Sequence, residues 1–240
     1  MEVTTTPAPV ATRDVAPWPF PRRLIALFTS PKALFEHLEE RPTWLVPFLV
    51  TLALVATFVI VLWNPVILPK MLVTFEEKDT PQNVVDMMTK NGLMFSLIPG
   101  LLFGAAFTFL TALIVQGIGG FLLGGKLSYR QALSIVSHVG LISLPAFAIM
   151  IPLALVSKTS QVSVGPGMLF NAEEAEGFVA RFIAGFMASI DVFKIWQVAL
   201  TALGVSVIGR VSRNKATVTM FIAYFVASLL GACVTAIMPR

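Results

Sequence analysis

Five long apolar stretches, separated by short polar segments, dominate the hydropathy pattern of the chain. Each has at least 20 residues, the length that a helix needs to cross about 30 Å of hydrocarbon. The first carries a tryptophan at each end, Trp44 and Trp63, and Pro65 and Pro69 are expected to end it. The pattern predicts an all-α integral membrane bundle of five transmembrane helices over residues 44–63, 93–123, 132–156, 192–211 and 217–238.

The composition supports this class. Hydrophobic residues make up 56% of the 240 residues and charged residues 12%, whereas a soluble domain carries about 25% charged residues. A water-soluble globular protein is therefore excluded. The single cysteine, Cys233, excludes a disulfide framework or a Cys-based zinc site within the chain. The net charge of +4 comes without a dense basic block, so a nucleic-acid partner is not expected.

The N-terminal segment differs from the rest. Residues 1–21 are rich in Pro, Thr and Ala and predict a disordered arm ahead of a membrane domain over residues 22–240. The apolar run 24–28 is shorter than the roughly 7–15 residues of a secretory signal. We therefore expect no cleaved signal and a first span that acts as a retained anchor.

A short amphipathic helix is predicted between this arm and the first span. Ser30 supplies the N-cap and Pro31 the first helical residue, and apolar and charged residues then take opposite sides. Two arrangements remain open: an interfacial helix on the cytoplasmic leaflet, attracted by anionic lipid, or a connecting helix packed on the bundle. The predicted interfacial residues are Arg22, Arg23, Lys32, Trp44 and Trp63.

Two segments on the opposite side also predict helices. Thr80 and Pro81 open a short helix that is expected to end near Asn91 and Gly92. Asn171 and Glu174 resemble a capping box that opens the second. Its apolar face is expected to rest on the outer leaflet or to cover the bundle, with a re-entrant hairpin as the alternative; that face carries Phe178, Phe182, Phe186 and Ile190.

The distribution of basic residues predicts the orientation. Ten of the 17 Lys and Arg residues fall on the side of the N-terminus and seven on the other side. Basic residues are retained in the cytoplasm. We therefore expect a cytoplasmic N-terminus and an external C-terminus.

Small residues recur every four positions along the second span, and a similar ridge lines the fifth. Such ridges let another backbone approach closely. Packing between these two spans is favoured over packing against a second copy. The predicted helix-packing positions include Gly100, Gly104, Gly120 and Gly231.

Three ionisable residues in or beside the spans are the candidates for function, because such residues are costly in a membrane. His138 shares a face with Ser134 and is a candidate proton-relay or ligand residue. Asp191 and Lys194 stand at the start of the fourth span, where Asp191 can cap the helix and Lys194 can pair with it or extend to the head groups. A structural role is the favoured alternative for each.

Catalytic motifs are missing. Glu173, Glu174 and Arg181 invite comparison with glutamate-type intramembrane proteases, but Arg181 follows the second glutamate by seven residues instead of four. The chain has no Gly-x-Ser-Gly, His-Glu-x-x-His or phosphate-loop motif. We expect a protein that is not an enzyme and that needs no cofactor or metal.

Several runs resemble prokaryotic members of the YIP family, the Ypt/Rab-interacting membrane proteins. The resemblance covers roughly residues 24–238. It is carried by the order of four blocks: residues 27–35 (LFTSPKALF), 41–44 (RPTW), 125–132 (GKLSYRQA) and 191–196 (DVFKIW).

The resemblance implies a five-span bundle with a cytoplasmic N-terminal segment in the bacterial cytoplasmic membrane. Eukaryotic members bind small Rab GTPases, so a Rab-type GTPase is a partner implied by resemblance alone. The leading hypothesis is a non-enzymatic scaffold that organises lipid, including anionic lipid, or binds a membrane-protein partner or a second copy. A small transporter or channel is the alternative.

Overall fold

The computed structural model describes residues 16–170 and 175–237. Within these ranges the chain is helical and contains no β-strand. Ten α-helices follow in order: α1 Phe20–Thr29, α2 Pro31–Glu40, α3 Leu45–Leu62, α4 Leu68–Glu77, α5 Gln82–Gln116, α6 Tyr129–Val139, α7 Ser143–Ser157, α8 Gly177–Ser189, α9 Val192–Ile208 and α10 Arg213–Ile237.

Four helices of the described residues are long and apolar enough to cross a membrane. Three are continuous through short π or 3₁₀ turns, namely α3 with α4, α5 with the turn after it, and α6 with α7. Their bounds, with that of α10, are Leu45–Glu77, Gln82–Leu122, Tyr129–Ser157 and Arg213–Ile237. The all-helical membrane class is confirmed, and four of the five predicted spans fall on these helices.

Two predicted helix ends are wrong. Pro65 does not end the first span, because it lies in the π-helical turn Trp63–Ile67 and the helix continues to Glu77. A π turn accommodates the missing N–H of proline inside a helix. The helix that follows Pro81 also continues past Gly92, since this glycine packs against the ring of Trp63 instead of ending the helix.

The fourth predicted span, 192–211, corresponds to a shorter helix. α9 has 17 residues, and α8 has 13, with a break at residues 190–191. α9 turns into α10 through residues 209–212 and packs along its first half. α8 packs along the second half, where Gly185 faces Ala232 and Thr235. Together α8 and α9 therefore run antiparallel to α10 as one interrupted helix.

α8 corresponds to the helix predicted to start at residue 171, but it begins at Gly177 with Glu176 before it, so the predicted start is wrong. Asn171 and Glu174, the predicted capping box, lie outside the described residues. The rings of Phe178, Phe182 and Phe186 stack in succession along α8, with centroids 6.2 and 6.4 Å apart. The contacts of α8 with α10 match the arrangement in which this helix covers the bundle.

α1 and α2 form a pair that packs on the bundle. Leu34, Phe35 and Leu38 of α2 are fully buried. A Cβ added to Gly204 of α9 would lie 3.1 Å from the Phe35 ring and 2.9 Å from Ile135 of α6, so α2, α6 and α9 meet closely here. Of the two predicted arrangements, the structure therefore has the connecting helix packed on the bundle.

The outer surface of the bundle is apolar. Phe103 on α5 is 72% exposed and Leu102 is 67% exposed. Among the predicted helix-packing glycines, a Cβ placed on Gly104 would lie 3.9 Å from Leu52 Cδ2 of α3, and one placed on Gly120 would lie 3.4 Å from the Leu127 carbonyl oxygen. No described residue lies within 4 Å of a Cβ placed on Gly100 or Gly231, so the two ridges do not meet at these positions.

Candidate functional site

His138 lies in a buried polar cluster beneath α1. Its Nδ1 atom is 2.8 Å from the Ser134 carbonyl and therefore carries the proton, which leaves Nε2 as an acceptor. Nη1 of Arg23 lies 3.4 Å from this Nε2 and also donates to the Thr43 hydroxyl. The Ser134 hydroxyl donates to the Thr43 carbonyl at 2.7 Å. The cluster therefore joins α1, α6 and the entry to α3.

Arg23 was predicted to lie at the membrane interface, and the structure places it in the interior of the bundle. Its side chain is 7% exposed, because α1 folds onto the bundle and directs the guanidinium at His138. Burial lowers the pKa of Arg23, but an arginine remains charged at any physiological pH. A buried positive charge therefore sits under α1, and its Nε has no hydrogen-bond partner among the described residues.

A second histidine, His37 of α2, was not singled out from the sequence. Its ring stacks on Trp18 with centroids 4.8 Å apart, and its Nε2 accepts the Trp18 backbone N–H at 3.3 Å. Burial, followed by the charges of Arg23, Arg22 and Arg41, lowers the pKa of His37. The sequence signal was present, since His37 lies on the side of α2 that holds Leu34 and Leu38, but a contact with Trp18 cannot be predicted from helix periodicity.

The other predicted interfacial residues fall into two groups. Trp63 is 5% exposed and packs against Gly92, so it is buried in the bundle. Trp44 is half-buried between Phe48 and Phe109. Arg22 and Lys32 are exposed; the Arg22 guanidinium lies 4.1 Å from the Trp18 ring centroid, and Lys32 pairs with Glu36 at 3.6 Å.

Asp191 occupies the break between α8 and α9. Its Oδ1 accepts the backbone N–H groups of Phe193 and Lys194 at 2.8 and 3.3 Å, and its Oδ2 accepts that of Val164 at 2.7 Å. The carboxylate is 2% exposed. It therefore caps α9 and holds the segment after α7 against the break. Within the described residues, this carboxylate forms no ion pair with the Lys194 ammonium.

Lys194 instead lines an open cavity of about 610 Å³ bordered by α3, α5, α6, α9 and α10 and by Ser189 at the end of α8. Its walls are mostly apolar, with Phe107, Ile114 and Met220 among them. Polar groups are contributed by Gln197, Tyr224 and Ser137, among others. His138 does not line this cavity, so the structure separates the three candidates into a buried cluster, a helix cap and a cavity wall.

In the described part of the chain, no three His, Cys, Asp or Glu side chains gather to hold a metal ion.

The comparison with protein families identifies the family of the chain, because the model of the Yip1 domain matches residues 25–235. The chain belongs to the Yip1 family. No curated protein and no solved structure matches it.

The Yip1 domain match contains the helix cap, the cavity and nearly all of the buried polar cluster around His138. It begins within α1 and ends within α10, so His138, Asp191, Lys194 and the whole cavity lie inside it. Arg23 precedes it by two residues. Family membership and the four apolar helices make this chain a multi-pass integral membrane protein.

Proposed function

We propose that this Yip1-family protein is a non-enzymatic scaffold that organises lipid or binds a partner at the membrane. The observation that carries the proposal is the docking of the α1–α2 pair. Leu34, Phe35 and Leu38 bury one side of the pair, and the Arg23–His138 contact holds α1 in place. The pair is therefore a fixed platform with an outward face.

That outward face suits a membrane surface or a membrane protein. Ile25 of α1 is 62% exposed, Arg22 is exposed three residues before it, and Lys32 of α2 is exposed as well. Each basic residue near an anionic leaflet contributes about 1 kcal/mol of attraction. Anionic lipid, a membrane-protein partner and a second copy are candidate ligands of this face, and a Rab-type GTPase is a candidate through family membership.

The proposed topology has five crossings, with the fourth made by α8 and α9 together. The N-terminus then lies in the cytoplasm and the C-terminus outside, in a bacterial cytoplasmic membrane. The excess of basic residues on the α1, α2 side supports this orientation.

The absence of a catalytic pair among the described candidates supports a role without catalysis. His138 faces an arginine and a carbonyl, and the Asp191 carboxylate is occupied by three backbone N–H groups. Neither arrangement places a general base beside a nucleophile.

The second candidate function is a transporter. The interrupted α8–α9 helix beside a cavity favours it, because broken helices bordering a central site are common in transporters.

A pull-down from native nanodiscs with mass spectrometry of proteins and lipids tests the scaffold. Ile25→Glu is expected to lose the co-purifying partner or anionic lipid. Val73→Glu, at a similarly exposed aliphatic residue on α4 (55%), serves as the matched control and is expected to retain it. Identical co-purifying molecules in both variants would contradict the platform.

Proteoliposome flux assays separate the two functions. The scaffold predicts no solute flux from the wild-type protein. Robust flux that is lost in His138→Ala or Lys194→Ala would establish the transporter instead.

A further inference from the structure

We infer that the cavity beside the α8–α9 break binds a single anionic lipid, with its phosphate at Lys194 and an acyl chain along the apolar walls. This inference does not depend on the scaffold role, since it concerns a different surface from the α1–α2 platform. It rests on the position of the break, the charge of the lining and an unpartnered hydroxyl group.

The break between α8 and α9 lies level with the middle of α10. The Tyr224 hydroxyl donates to the carbonyl of Ser189, the last residue of α8. Tyr224 lies halfway along α10, a helix of 25 residues that is long enough to cross a membrane. Lys194, in the first turn of α9, lines the cavity and is exposed in the isolated chain. With a bilayer around this level of the bundle, a counter-charge is worth more than in water.

One positive charge lines the cavity. Lys194 is the charged residue among the described side chains that line it. The neighbouring Asp191 is 2% exposed and its oxygens accept three backbone N–H groups, so it does not pair with the Lys194 ammonium. Its negative charge and the amide dipoles at the start of α9 offset each other, so Lys194 is the group that attracts an anion.

The remaining polar groups of the lining are neutral. Gln197 lies one turn after Lys194 on the same helix, and Tyr224 and Ser228 face it from α10. Ser137 of α6 lines the cavity, is 2% exposed, and its Oγ has no hydrogen-bond partner among the described residues. A buried hydroxyl group without a partner destabilises the folded state, so a ligand oxygen that bonds to it would remove this penalty.

The walls select a lipid over a free anion. A cavity of about 610 Å³ has the size of a small-molecule site. Its lining is largely apolar and runs along α5 and the turn after it, from Phe107 to Ile118, roughly 16 Å of helix. Burying a hydrated phosphate against such walls is unfavourable, whereas burying an acyl chain there is favourable.

The test uses the full-length protein in detergent and native mass spectrometry to count bound lipid. Phosphatidylglycerol and phosphatidylcholine with identical acyl chains are the two probes, and inorganic phosphate is added as a competitor. We expect one phosphatidylglycerol per protein, weaker phosphatidylcholine binding, and no displacement by phosphate at the same concentration.

Matched variants locate the site. Lys194→Gln is expected to weaken phosphatidylglycerol binding roughly tenfold or more, since a charge-assisted hydrogen bond is lost, while Lys194→Arg keeps most of it. Lys215→Gln, an exposed basic residue on α10 away from the cavity, is expected to bind normally. Ala223→Phe fills the cavity and is expected to abolish binding, whereas Ala199→Phe on the exposed side of α9 does not.

Each contrary result overturns the inference. Equal binding of the two lipids, displacement by inorganic phosphate, or full binding in Lys194→Gln or Ala223→Phe would each do so, provided that the variants elute as the wild-type species. A failed search for scaffold partners leaves these measurements unaffected, so the two proposals fail separately.

Discussion

Nη1 of Arg23 lies 3.4 Å from Nε2 of His138, although 115 residues separate them in sequence. The contact links a helix outside the apolar spans to the interior of the bundle. It explains why a basic residue just ahead of the first span is buried instead of facing head groups.

We expect Arg23→Ala to destabilise the protein by about 1–3 kcal/mol, because Thr43 and His138 lose a charged hydrogen-bond donor. Thermal or denaturant unfolding in detergent measures this. Arg22→Ala, one position earlier and exposed, serves as the control; it loses the cation–π contact with Trp18 and is expected to change the free energy of unfolding by the smaller amount of about 0.5–1 kcal/mol. Equal effects of the two substitutions would show that the Arg23 contact contributes nothing.

The lowered pKa of His37 predicts a pH dependence of stability. The unfolded chain takes up a proton near pH 6.5 before the folded protein does. The contribution of His37 to stability is therefore fully present above that pH and is lost as the pH falls toward the folded pKa. His37→Gln should reduce the fall in melting temperature between pH 7.5 and 5. If the variant and the wild-type protein lose the same stability on acidification, His37 is not responsible.

Two glycines of α5 should respond to alanine in opposite directions. A Cβ on Gly92 would lie 2.8 Å from Trp63 Cζ2, and overpacking of this kind costs about 1–3 kcal/mol. No described residue lies within 4 Å of a Cβ on Gly100, so Gly100→Ala should stabilise the helix by roughly 0.5–1 kcal/mol. Unfolding of both variants in detergent checks the pair. Stabilisation by Gly92→Ala would disprove the close contact with Trp63.

Asp191→Ala should cost about 0.5–2 kcal/mol through loss of the α9 cap, and it also leaves the Val164 N–H without its acceptor. Hydrogen exchange should rise at Phe193 and Lys194, whose N–H groups the carboxylate accepts. Asp86→Ala, at an exposed residue of α5, is the comparison and should leave exchange in α9 unchanged. Protection of α9 that persists in Asp191→Ala argues against the cap.

The proposed five crossings place the C-terminus outside the cytoplasm. Alkaline phosphatase fused after Arg240 should be active, and a green-fluorescent fusion at the same position should be dark. The same reporters inserted at the 124–128 connection, on the predicted cytoplasmic side, should show the reverse. A fluorescent C-terminal fusion would remove the α8–α9 crossing from the topology.

Sequence-based prediction succeeded where a feature depends on residues close together in the chain and failed where it depends on residues far apart. Long apolar runs identify the spans because each residue contributes to hydropathy by itself. The Asp191 cap was also predictable, because two of the three N–H groups that bond to its carboxylate lie only two and three positions further along the chain. Pro65 misled the prediction because a π turn, set by packing around Trp63 and Val66, carries the helix past it.

The sequence by itself determined the membrane class, the family and the positions of the apolar spans, because these depend on local composition and on the order of short motifs. Only the tertiary structure decided that Arg23 reaches His138, that α8 and α9 form one interrupted helix along α10, and that Lys194 faces a cavity instead of Asp191. Each of these depends on which helix faces which neighbour. That choice is made by side-chain packing between residues far apart in the chain, which periodicity along a single helix does not record.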